Sequence, residues 1–444
     1  MMKAKFEGAT GTGAPTWGQQ LFWSHLRAAD PPDQWNLSAQ WPLAEPVAVA
    51  DVVELLGDLV GSQPALRTSF AIDGDQLQAQ NIIGSGHVDV LLTDVNGTAD
   101  PEPTAEAVRV ALKALPFDLE SGPLARFGVV TDGPIALTVV IACSHLVLDW
   151  WAFHHLLRDE FYTRVAAWPA GRAGPVDLAS IERAELESTR RYRIKSRTAI
   201  ERWRTISSAY PSSSDIWRPD ATGPELSVVS VVLRSSALAF AEHTVARSIG
   251  LFAGGSLLLS AAAEFVCEAE RRDRTAFRVA VCNRFSAKDR QYAGILNQYS
   301  LVGVESGRSG FVETARQTDQ ALLAAVHSGG LYDPAELEAL ESERLRDGHA
   351  TTYSYDFNDT RIGVARRRAP CVLDRVGPAD LTWEEPRRRP AAVLFTLSVW
   401  DEEDATCVGA AVDTTWASPQ RVARWLADTE LRILNAARAC EPAS

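Results

Sequence analysis

Apolar residues recur along the first 165 positions at two different spacings, which predict an alternation of helices and strands. Spacings of three and four residues predict three amphipathic helices, at PTWGQQLFWSHLRA (15–28), DVVELLGDLV (51–60) and AVRVALKAL (107–115). Apolar runs rich in β-branched residues predict four strands, at 68–72, 87–92, 124–130 and 134–144. The last of them, PIALTVVIACS, is apolar on both faces, so we expect it in the middle of a covered sheet.

The pattern breaks between residues 166 and 200, where AAWPAGRAGPVDLAS is rich in Pro, Gly and Ala and a charged helical run follows it. Mixed signals then resume, with strands at 226–233, 277–283, 299–304, 351–357 and 392–400 and helices at 236–249, 255–272, 311–328 and 419–439. A chain of 444 residues is too long for one ordinary core. We therefore predict a mixed α/β protein of the α+β sandwich kind, with an N-terminal lobe at 1–165, an inter-lobe linker at 166–200 and a C-terminal lobe at 201–444.

The composition is that of a globular protein, and the net charge argues against a nucleic-acid partner. Hydrophobic residues make up 46% of the chain and charged residues 23%, which is typical of a globular protein. The formal net charge of −13 gives no positive field for a phosphate backbone, so we expect no nucleic-acid partner. We interpret the short basic clusters at 271–274, 366–368 and 387–389 as solvated faces, with an anion-docking patch as the alternative.

The chain shows no signal for a membrane, a metal or a disulfide framework. The N-terminus lacks the apolar core of a signal peptide, and no run of ~20 apolar residues occurs, so we expect a cytoplasmic protein without a membrane partner. The six cysteines, Cys143, Cys267, Cys282, Cys371, Cys407 and Cys440, form no CxxC pair. No glycine-rich phosphate motif is present either, so we predict no bound metal and no bound cofactor.

The candidate chemistry stands at the end of the long apolar strand, where His145 is followed after three residues by Asp149. Rigid backbone at a strand end can hold a histidine ring toward a cleft, which is the placement a general base requires. An unperturbed pKa of ~6.5 lets histidine accept a proton near neutrality. Asp149 can turn back to fix the loop rather than touch a substrate.

The segment SHLVLDW resembles the HHxxxDG signature of condensation domains, which belong to the chloramphenicol acetyltransferase-like superfamily. His145 falls on the second histidine and Asp149 on the aspartate, while Ser144 replaces the first histidine and Trp150 the glycine. Three further segments follow the family's order: PTWGQQLFW resembles SxAQxRLW and keeps Gln19, SQPALRTSF resembles RHExLRTxF, and PFDLESGPLARF precedes the histidine motif. The resemblance spans essentially the whole chain.

The second half completes the resemblance. CNRFSAKDRQYAGILNQYSL resembles the segment in which an arginine precedes GxFVNTLP, which gives Arg284 and Asn297, with Ala293 at the expected glycine. The tail FTLSVWDEEDATCVGAAVDTTWASPQRVARWL is similar to the family's closing strand pair and helix. The resemblance implies two acetyltransferase-like lobes in a V-shaped pseudo-dimer with the active site at their interface.

A literal HHxxxD also occurs at 154–159, in HisHisLeuLeuArgAsp. It follows no strand end, and its apolar residues recur at helical spacing, so we assign these histidines to a helix surface. Adjacent helical residues diverge by ~100°, so His154 and His155 cannot converge on one metal ion.

The resemblance implies an acyltransferase that takes a thioester from the phosphopantetheine arm of an acyl or peptidyl carrier protein and joins it to a small-molecule amine or alcohol. His145 would remove the acceptor's proton. Asp149 and Arg284 would form a structural ion pair across the lobe interface, with Ser144 as a local support. Asn297, Gln298, Gln19 and Trp150 are candidates for the substrate tunnel. No adenylation signature and no carrier serine motif is present, so we predict a free-standing monomeric enzyme in secondary-metabolite biosynthesis, acting on partners supplied by other proteins.

Two other functions stay open on the same fold. One is a degenerate module that recruits a carrier protein or a tailoring enzyme without turnover, and the other is a coenzyme A-dependent acyltransferase. Trp150 is the residue on which the choice depends, because an indole fills space that glycine leaves to a substrate arm. Either the substrate is small or aromatic, or one tunnel is closed, or Trp150 packs into the core next to Trp151.

Overall fold

The computed structural model describes residues 1–27, 35–97, 100–168, 179–210, 227–306, 310–349, 353–361, 380–384, 386, 393–402 and 404–440. Cys371, two of the basic clusters and residues 169–178 of the predicted linker lie outside these residues. The chain forms two compact units, one of residues 1–193 with 284–297 and the other of residues 194–283 with 298–444.

The described elements alternate along the chain. The strands are β1 Met2–Glu7, β2 Gly11–Gly13, β3 Asn36–Ala48, β4 Thr68–Asp73, β5 Gln76–Ile82, β6 Ser85–Asp94, β7 Ala125–Asp132, β8 Ile135–Ser144, β9 Val228–Ser235, β10 Arg274–Val281, β11 Gln298–Glu305, β12 Tyr355–Asp359, β13 Asp380–Trp383, β14 Phe395–Asp401 and β15 Thr406–Asp413. The helices are α1 Trp17–Arg27, α2 Val49–Ser62, α3 Glu102–Lys113, α4 Arg158–Ala167, α5 Ala179–Glu187, α6 Arg190–Ala209, α7 Leu238–Ile249, α8 Gly255–Glu270, α9 Ala287–Gln291, α10 Phe311–Ser328, α11 Pro334–Arg346 and α12 Pro419–Cys440. A π-helical segment, Ala152–Leu157, directly precedes α4.

The first unit is built on a five-stranded sheet in the order β1-β6-β7-β8-β3 and a three-stranded sheet in the order β2-β5-β4. β8 pairs with β7 on one side and β3 on the other, and nearly all its residues are buried, which confirms the prediction of a covered central strand. Its two faces are covered because α3 packs on one side and the main apolar cluster of the unit lies on the other. The strand that carries the candidate histidine is therefore anchored along its whole length.

The second unit is built on a seven-stranded sheet in the order β11-β10-β12-β14-β15-β9-β13. β10, β12 and β14 run parallel, and the remaining pairs are antiparallel. Apolar residues of α7, α8 and α12 pack against this sheet and form the largest core cluster of the described chain. Both units are thus mixed α/β, as the periodicity predicted.

The unit boundaries differ from the predicted ones in two respects. The first unit extends to Arg193 rather than to residue 165, because α5 packs against the β2 region. Residues 284–297 were predicted to lie in the C-terminal lobe, but they pack with the first unit. This second difference matters for the site, since it places Arg284 in the same unit as Asp149.

Candidate active site

The end of β8 presents His145 on fixed backbone. The His145 N–H donates to the Trp35 carbonyl at 3.1 Å, and the Ser144 N–H donates to the Leu124 carbonyl at 3.1 Å. The Ser144 hydroxyl accepts the Leu146 N–H at 3.2 Å, so serine closes the turn by a local hydrogen bond, as its side chain allows. The next three residues are buried in the main apolar cluster: Leu146, Val147 and Leu148. The turn after His145 is therefore pinned by apolar packing.

Two aromatic rings enclose the His145 imidazole, which is 9% exposed. The Phe22 ring stacks on it with centroids 4.1 Å apart and planes 19° apart, and Trp35 meets it edge-on at 6.2 Å. Burial lowers the pKa of His145, while the nearby carbonyl groups of His145 and Leu148 and the charge of Asp149 partly oppose the shift. The imidazole is consequently neutral at neutral pH, which is the form that accepts a proton.

Asp149 is 1% exposed, and its two oxygens are fully engaged. Oδ1 accepts the Ala152 N–H at 2.7 Å and Arg284 Nη2 at 2.8 Å. Oδ2 accepts Arg284 Nη2 at 2.8 Å, the Leu296 N–H at 2.9 Å and the Asn297 N–H at 3.4 Å. With these partners the carboxylate caps the turn that leads into the π-helical segment and holds the strand-entry backbone of residues 296–297.

The Arg284 guanidinium also has hydrogen-bond partners besides Asp149. Nη1 donates to the carbonyls of Asp289 and Tyr292 at 2.8 and 2.7 Å, and Nη2 also donates to the Gly294 carbonyl at 2.9 Å. Its guanidinium lies 4.6 Å above the Trp151 ring, within cation–π range. The predicted pair with Asp149 is confirmed at 2.8 Å with both side chains at most 2% exposed. The prediction that it crosses between lobes is wrong, since both residues belong to the first unit.

Gly294 is required by this arrangement. A Cβ at this position would stand 2.3 Å from the Tyr292 ring, closer than any real contact. Its carbonyl accepts Arg284 Nη2 and also faces the Asp149 N–H at 3.5 Å. Gly294, one position after Ala293, thus leaves room for the Tyr292 ring while its carbonyl contacts both members of the ion pair.

Trp150 is half-buried and packs along its own chain. Its ring lies 4.4 Å from the His154 ring and 5.8 Å from the His155 ring. Burial lowers the pKa of His154 to about 4 and also lowers the pKa of His155. Both histidines stand on the π-helical segment, a geometry that is frequent at functional sites. The literal HHxxxD thus forms an aromatic cluster with Trp150, and its histidines are partly buried rather than on the helix surface we predicted.

Gln19 and Gln298, which we predicted as candidates for the substrate tunnel, both have structural contacts. Gln19 is 4% exposed and forms a capping box with Thr16: its Oε1 accepts the Thr16 N–H at 2.8 Å, and its N–H donates to Thr16 Oγ1 at 3.2 Å. Gln298 is 1% exposed, and its amide exchanges two hydrogen bonds with the Tyr332 backbone, at 2.8 and 3.1 Å. Both amides are therefore used within the fold.

Replacement of Gln19 by alanine should lower stability without changing substrate preference. The variant loses the bond from the Thr16 N–H to the Gln19 side chain, which is one half of the capping box, and the bond to Gln80, whereas the Thr16 hydroxyl keeps its bond to the backbone N–H of residue 19. Loss of a buried hydrogen bond costs about 1 kcal/mol. Thermal melting and turnover on two acyl donors of different length measure the two effects. A changed preference between the donors at unchanged stability would restore Gln19 to the tunnel.

Asn297 differs from Gln298 because the Oδ1 atom of its side chain is buried and has no hydrogen-bond partner among the described residues. Its backbone N–H is already directed at Asp149. The side-chain Oδ1 of Asn297 therefore has unused hydrogen-bonding capacity within the described fold, whereas its backbone N–H is already used.

Sequence reasoning missed the aromatic enclosure. Phe22 lies within the segment PTWGQQLFW but was not singled out there, and Trp35 lies outside every motif, so the sequence did not indicate that either ring contacts His145. Across the described ranges, no cluster of three or more His, Cys, Asp or Glu side chains could hold a metal ion. No helix in the described part of the chain has the length and apolarity needed to cross a membrane.

Part of the sequence matches a known family and curated relatives. Residues 16–166 match the family model of the condensation domain. Over 127 residues, 28% of this chain and 12% of the relative, the sequence is 32% identical to phosphinothricin tripeptide synthetase PhsC of Streptomyces viridochromogenes. The chain thus spans about an eighth of the length of that curated relative.

Solved structures share the fold along nearly the whole chain. A condensation domain that mediates chain release from the enacyloxin polyketide synthase superposes with a TM-score of 0.71 at 18% identity, covering 97% of this chain and 83% of that one. The epimerization domain from the third module of tyrocidine synthetase B superposes with a TM-score of 0.69 at 14% identity, covering 98% and 99%. The two-lobe fold is therefore that of condensation domains, and it also occurs in an epimerization domain.

Proposed function

This chain belongs to the condensation-domain family of the nonribosomal-peptide-synthetase type, and from that premise we propose that it joins an acyl thioester on a carrier protein to an amine or alcohol. The observation that carries the proposal is the neutral, enclosed imidazole of His145 at the end of a covered strand, beside an ion pair that fixes its turn. A base held in this way is ready to accept a proton at neutral pH.

The reaction needs alignment and one proton transfer. The acceptor's nitrogen or oxygen attacks the thioester carbonyl carbon, the carbon–sulfur bond breaks, and the phosphopantetheine thiol leaves. His145 takes the proton from the acceptor and returns it to the departing sulfur, so the enzyme ends unchanged. The thioester is already activated, and the remaining contribution of the protein is to hold the two substrates in line.

Asp149 does not assist the proton transfer directly. Its oxygens accept hydrogen bonds from Arg284 and three backbone N–H groups, which leaves no lone pair facing the imidazole. Its part in the proposed reaction is to fix the turn that follows His145. We propose that the side chain of Asn297, whose Oδ1 has no hydrogen-bond partner among the described residues, contacts the acceptor or the pantetheine arm.

The proposal is tested by offering one acyl group on a carrier protein and on coenzyme A, each with an amine and an alcohol acceptor, and by detecting products by mass spectrometry. Product from the carrier-bound donor supports the proposal. Product from coenzyme A alone indicates a coenzyme A-dependent acyltransferase. Carrier binding without product indicates a recruiting module, which the indole of Trp150 at the usual glycine favours, and inversion of a carrier-bound amino acid would indicate epimerization.

Replacement of Trp150 by glycine should widen the acyl range and lower stability. The variant loses ring contacts with His154 and His155, an aromatic loss of about 1–2 kcal/mol, and it frees the volume of an indole. We expect slower turnover of the native donor and measurable turnover of bulkier ones. Trp150→Phe is the matched control, because it keeps an aromatic ring in the same place. An unchanged donor profile in Trp150→Gly would show that the indole does not limit the substrate.

A further inference from the structure

Within the ranges that the structure describes, no carboxylate is hydrogen-bonded to the His145 imidazole, and its nearest polar neighbours are the backbone carbonyls of His145 and Leu148. Its Nδ1 atom is buried and makes no hydrogen bond of ordinary geometry with any of the described residues. The nearest carboxylate, Asp149, directs its oxygens at Arg284 and backbone N–H groups instead. The carbonyl groups of His145 and Leu148 lie near the ring, but neither gives Nδ1 a hydrogen bond of ordinary geometry. Ring contacts are therefore the better-defined support of its orientation.

Phe22 is the group in closest ring contact with the imidazole. The two rings are nearly parallel, and a centroid separation of 4.1 Å leaves no room for water between them. Trp35 closes a second side edge-on, and His25 contacts both Phe22 and Trp35 at 5.6 and 5.7 Å. The imidazole is thus confined on one face by a ring and on one edge by another.

Phe22 is itself rigidly placed. It is 3% exposed and belongs to the same apolar cluster as the turn after His145. Its helix, α1, is fixed at the start by the Thr16–Gln19 capping box and by the Glu187 carboxylate, which accepts the Trp17 N–H at 2.7 Å. Because Phe22 and the turn after His145 are both buried in the same apolar cluster, the Phe22 ring has a fixed position against the imidazole.

We propose that Phe22 is a positioning residue that holds the His145 imidazole by stacking and keeps water from its face. This inference rests on the proposed function, because it assigns the means by which the base of that reaction is oriented. The charged side chain that acts on His145 is Asp149 on its own turn, and the titratable His25 on α1 contacts the two enclosing rings, Phe22 and Trp35.

Two opposite electrostatic effects act in this stack. An aromatic face attracts a cation and would favour imidazolium, whereas exclusion of water favours neutral imidazole. Burial is the largest influence on the pKa of His145 and lowers it, so we expect exclusion of water to be the stronger of the two effects. Removal of the Phe22 ring should therefore raise this pKa toward its ordinary value.

The test compares Phe22→Leu with Phe127→Leu. Phe127 is 1% exposed in the same apolar cluster, so its loss removes an equal ring from the same core, and no ring contact joins it to His145. The imidazole of His145 is followed by NMR titration without substrate, with its signal identified by its absence in His145→Gln. The pH profile of kcat is measured on the carrier-bound donor.

We expect Phe22→Leu to raise the titration midpoint of His145, to move the acid limb of kcat to higher pH by the same amount, and to lower kcat about tenfold with KM unchanged. Phe127→Leu should lower only the melting temperature, and Phe22→Tyr, which keeps the ring, should restore the wild-type profile. If Phe22→Leu does not fold, Phe22→Met makes the same comparison.

A wild-type midpoint and pH profile in a folded Phe22→Leu or Phe22→Met variant would overturn the inference. An equal shift of the His145 titration midpoint in Phe22→Leu and Phe127→Leu would also overturn the inference, because such a shift would reflect general loosening of the core. The NMR titration requires no turnover. Wild-type protein that is inactive on every donor, but whose His145 midpoint still responds to Phe22, would refute the proposed reaction and leave the positioning intact.

Discussion

Replacement of His145 by alanine should lower kcat on a carrier-bound donor by about 10²–10⁴-fold, because that is the contribution of a positioned acid–base group. Carrier binding should persist, since the imidazole is enclosed by Phe22 and Trp35 and only 9% exposed. The free energy of unfolding should fall by about 1 kcal/mol, because the variant loses the stacking contact with Phe22. Within the described ranges, Nδ1 has no hydrogen bond of ordinary geometry to lose. Turnover, carrier affinity and melting temperature measure the three effects.

His243→Ala is the control for this experiment. His243 is an exposed residue of α7 in the second unit, so its removal changes the histidine content without touching the candidate site. His145→Gln adds a variant that keeps polarity and length without a titrating ring. Full activity in both His145 variants would show that another group removes the proton, and the proposed mechanism would then be wrong.

Replacement of Asp149 by alanine should destabilise the protein by about 3–5 kcal/mol, the cost of leaving a buried charge without its partner. The Arg284 guanidinium would stay buried with only carbonyl partners. The N–H groups of Ala152, Leu296 and Asn297 would lose their acceptor as well. Unfolding in denaturant measures the loss, and Asp149→Asn, which keeps one acceptor oxygen, should lose less.

Asp75→Ala is the matched control, because Asp75 forms an ion pair with Arg27 in the same unit but is 79% exposed. An exposed pair contributes at most about 1 kcal/mol. A double variant that replaces Asp149 and Arg284 by apolar residues of similar volume should recover part of the stability lost in Asp149→Ala. Equal unfolding curves for Asp149→Ala and wild type would contradict the assignment of the pair as the support of the turn.

Much of the fold could be predicted, because elements that bury one face or both leave a regular apolar pattern. β8, α2 and the helices α7, α8, α10 and α12 were found at the predicted places. β3 was missed because Pro42 and Pro46 interrupt its sequence, which an edge strand tolerates. β1 was missed because only Ala4 and Phe6 of its six residues are buried.

The candidate site was predictable in part. His145, Asp149 and Arg284 were selected from motif residues, and the ion pair was found where expected except that it lies within one unit. The sequence reading missed the capping role of Gln19, although a glutamine three residues after a threonine is a signal for a capping box. The local hydrogen bonds show that it caps α1.

The sequence by itself determined the strand that carries His145, the apolar residues that pin the following turn, and the acid and base able to form an ion pair. Periodicity and residue chemistry are local properties, so a single chain displays them. Only the tertiary structure decided that Phe22 and Trp35 enclose the imidazole, that residues 284–297 pack with the first unit, and that Gly294 admits the Tyr292 ring. These contacts join residues more than 100 positions apart or depend on ring orientations, and no local pattern encodes which distant side chains burial will bring together.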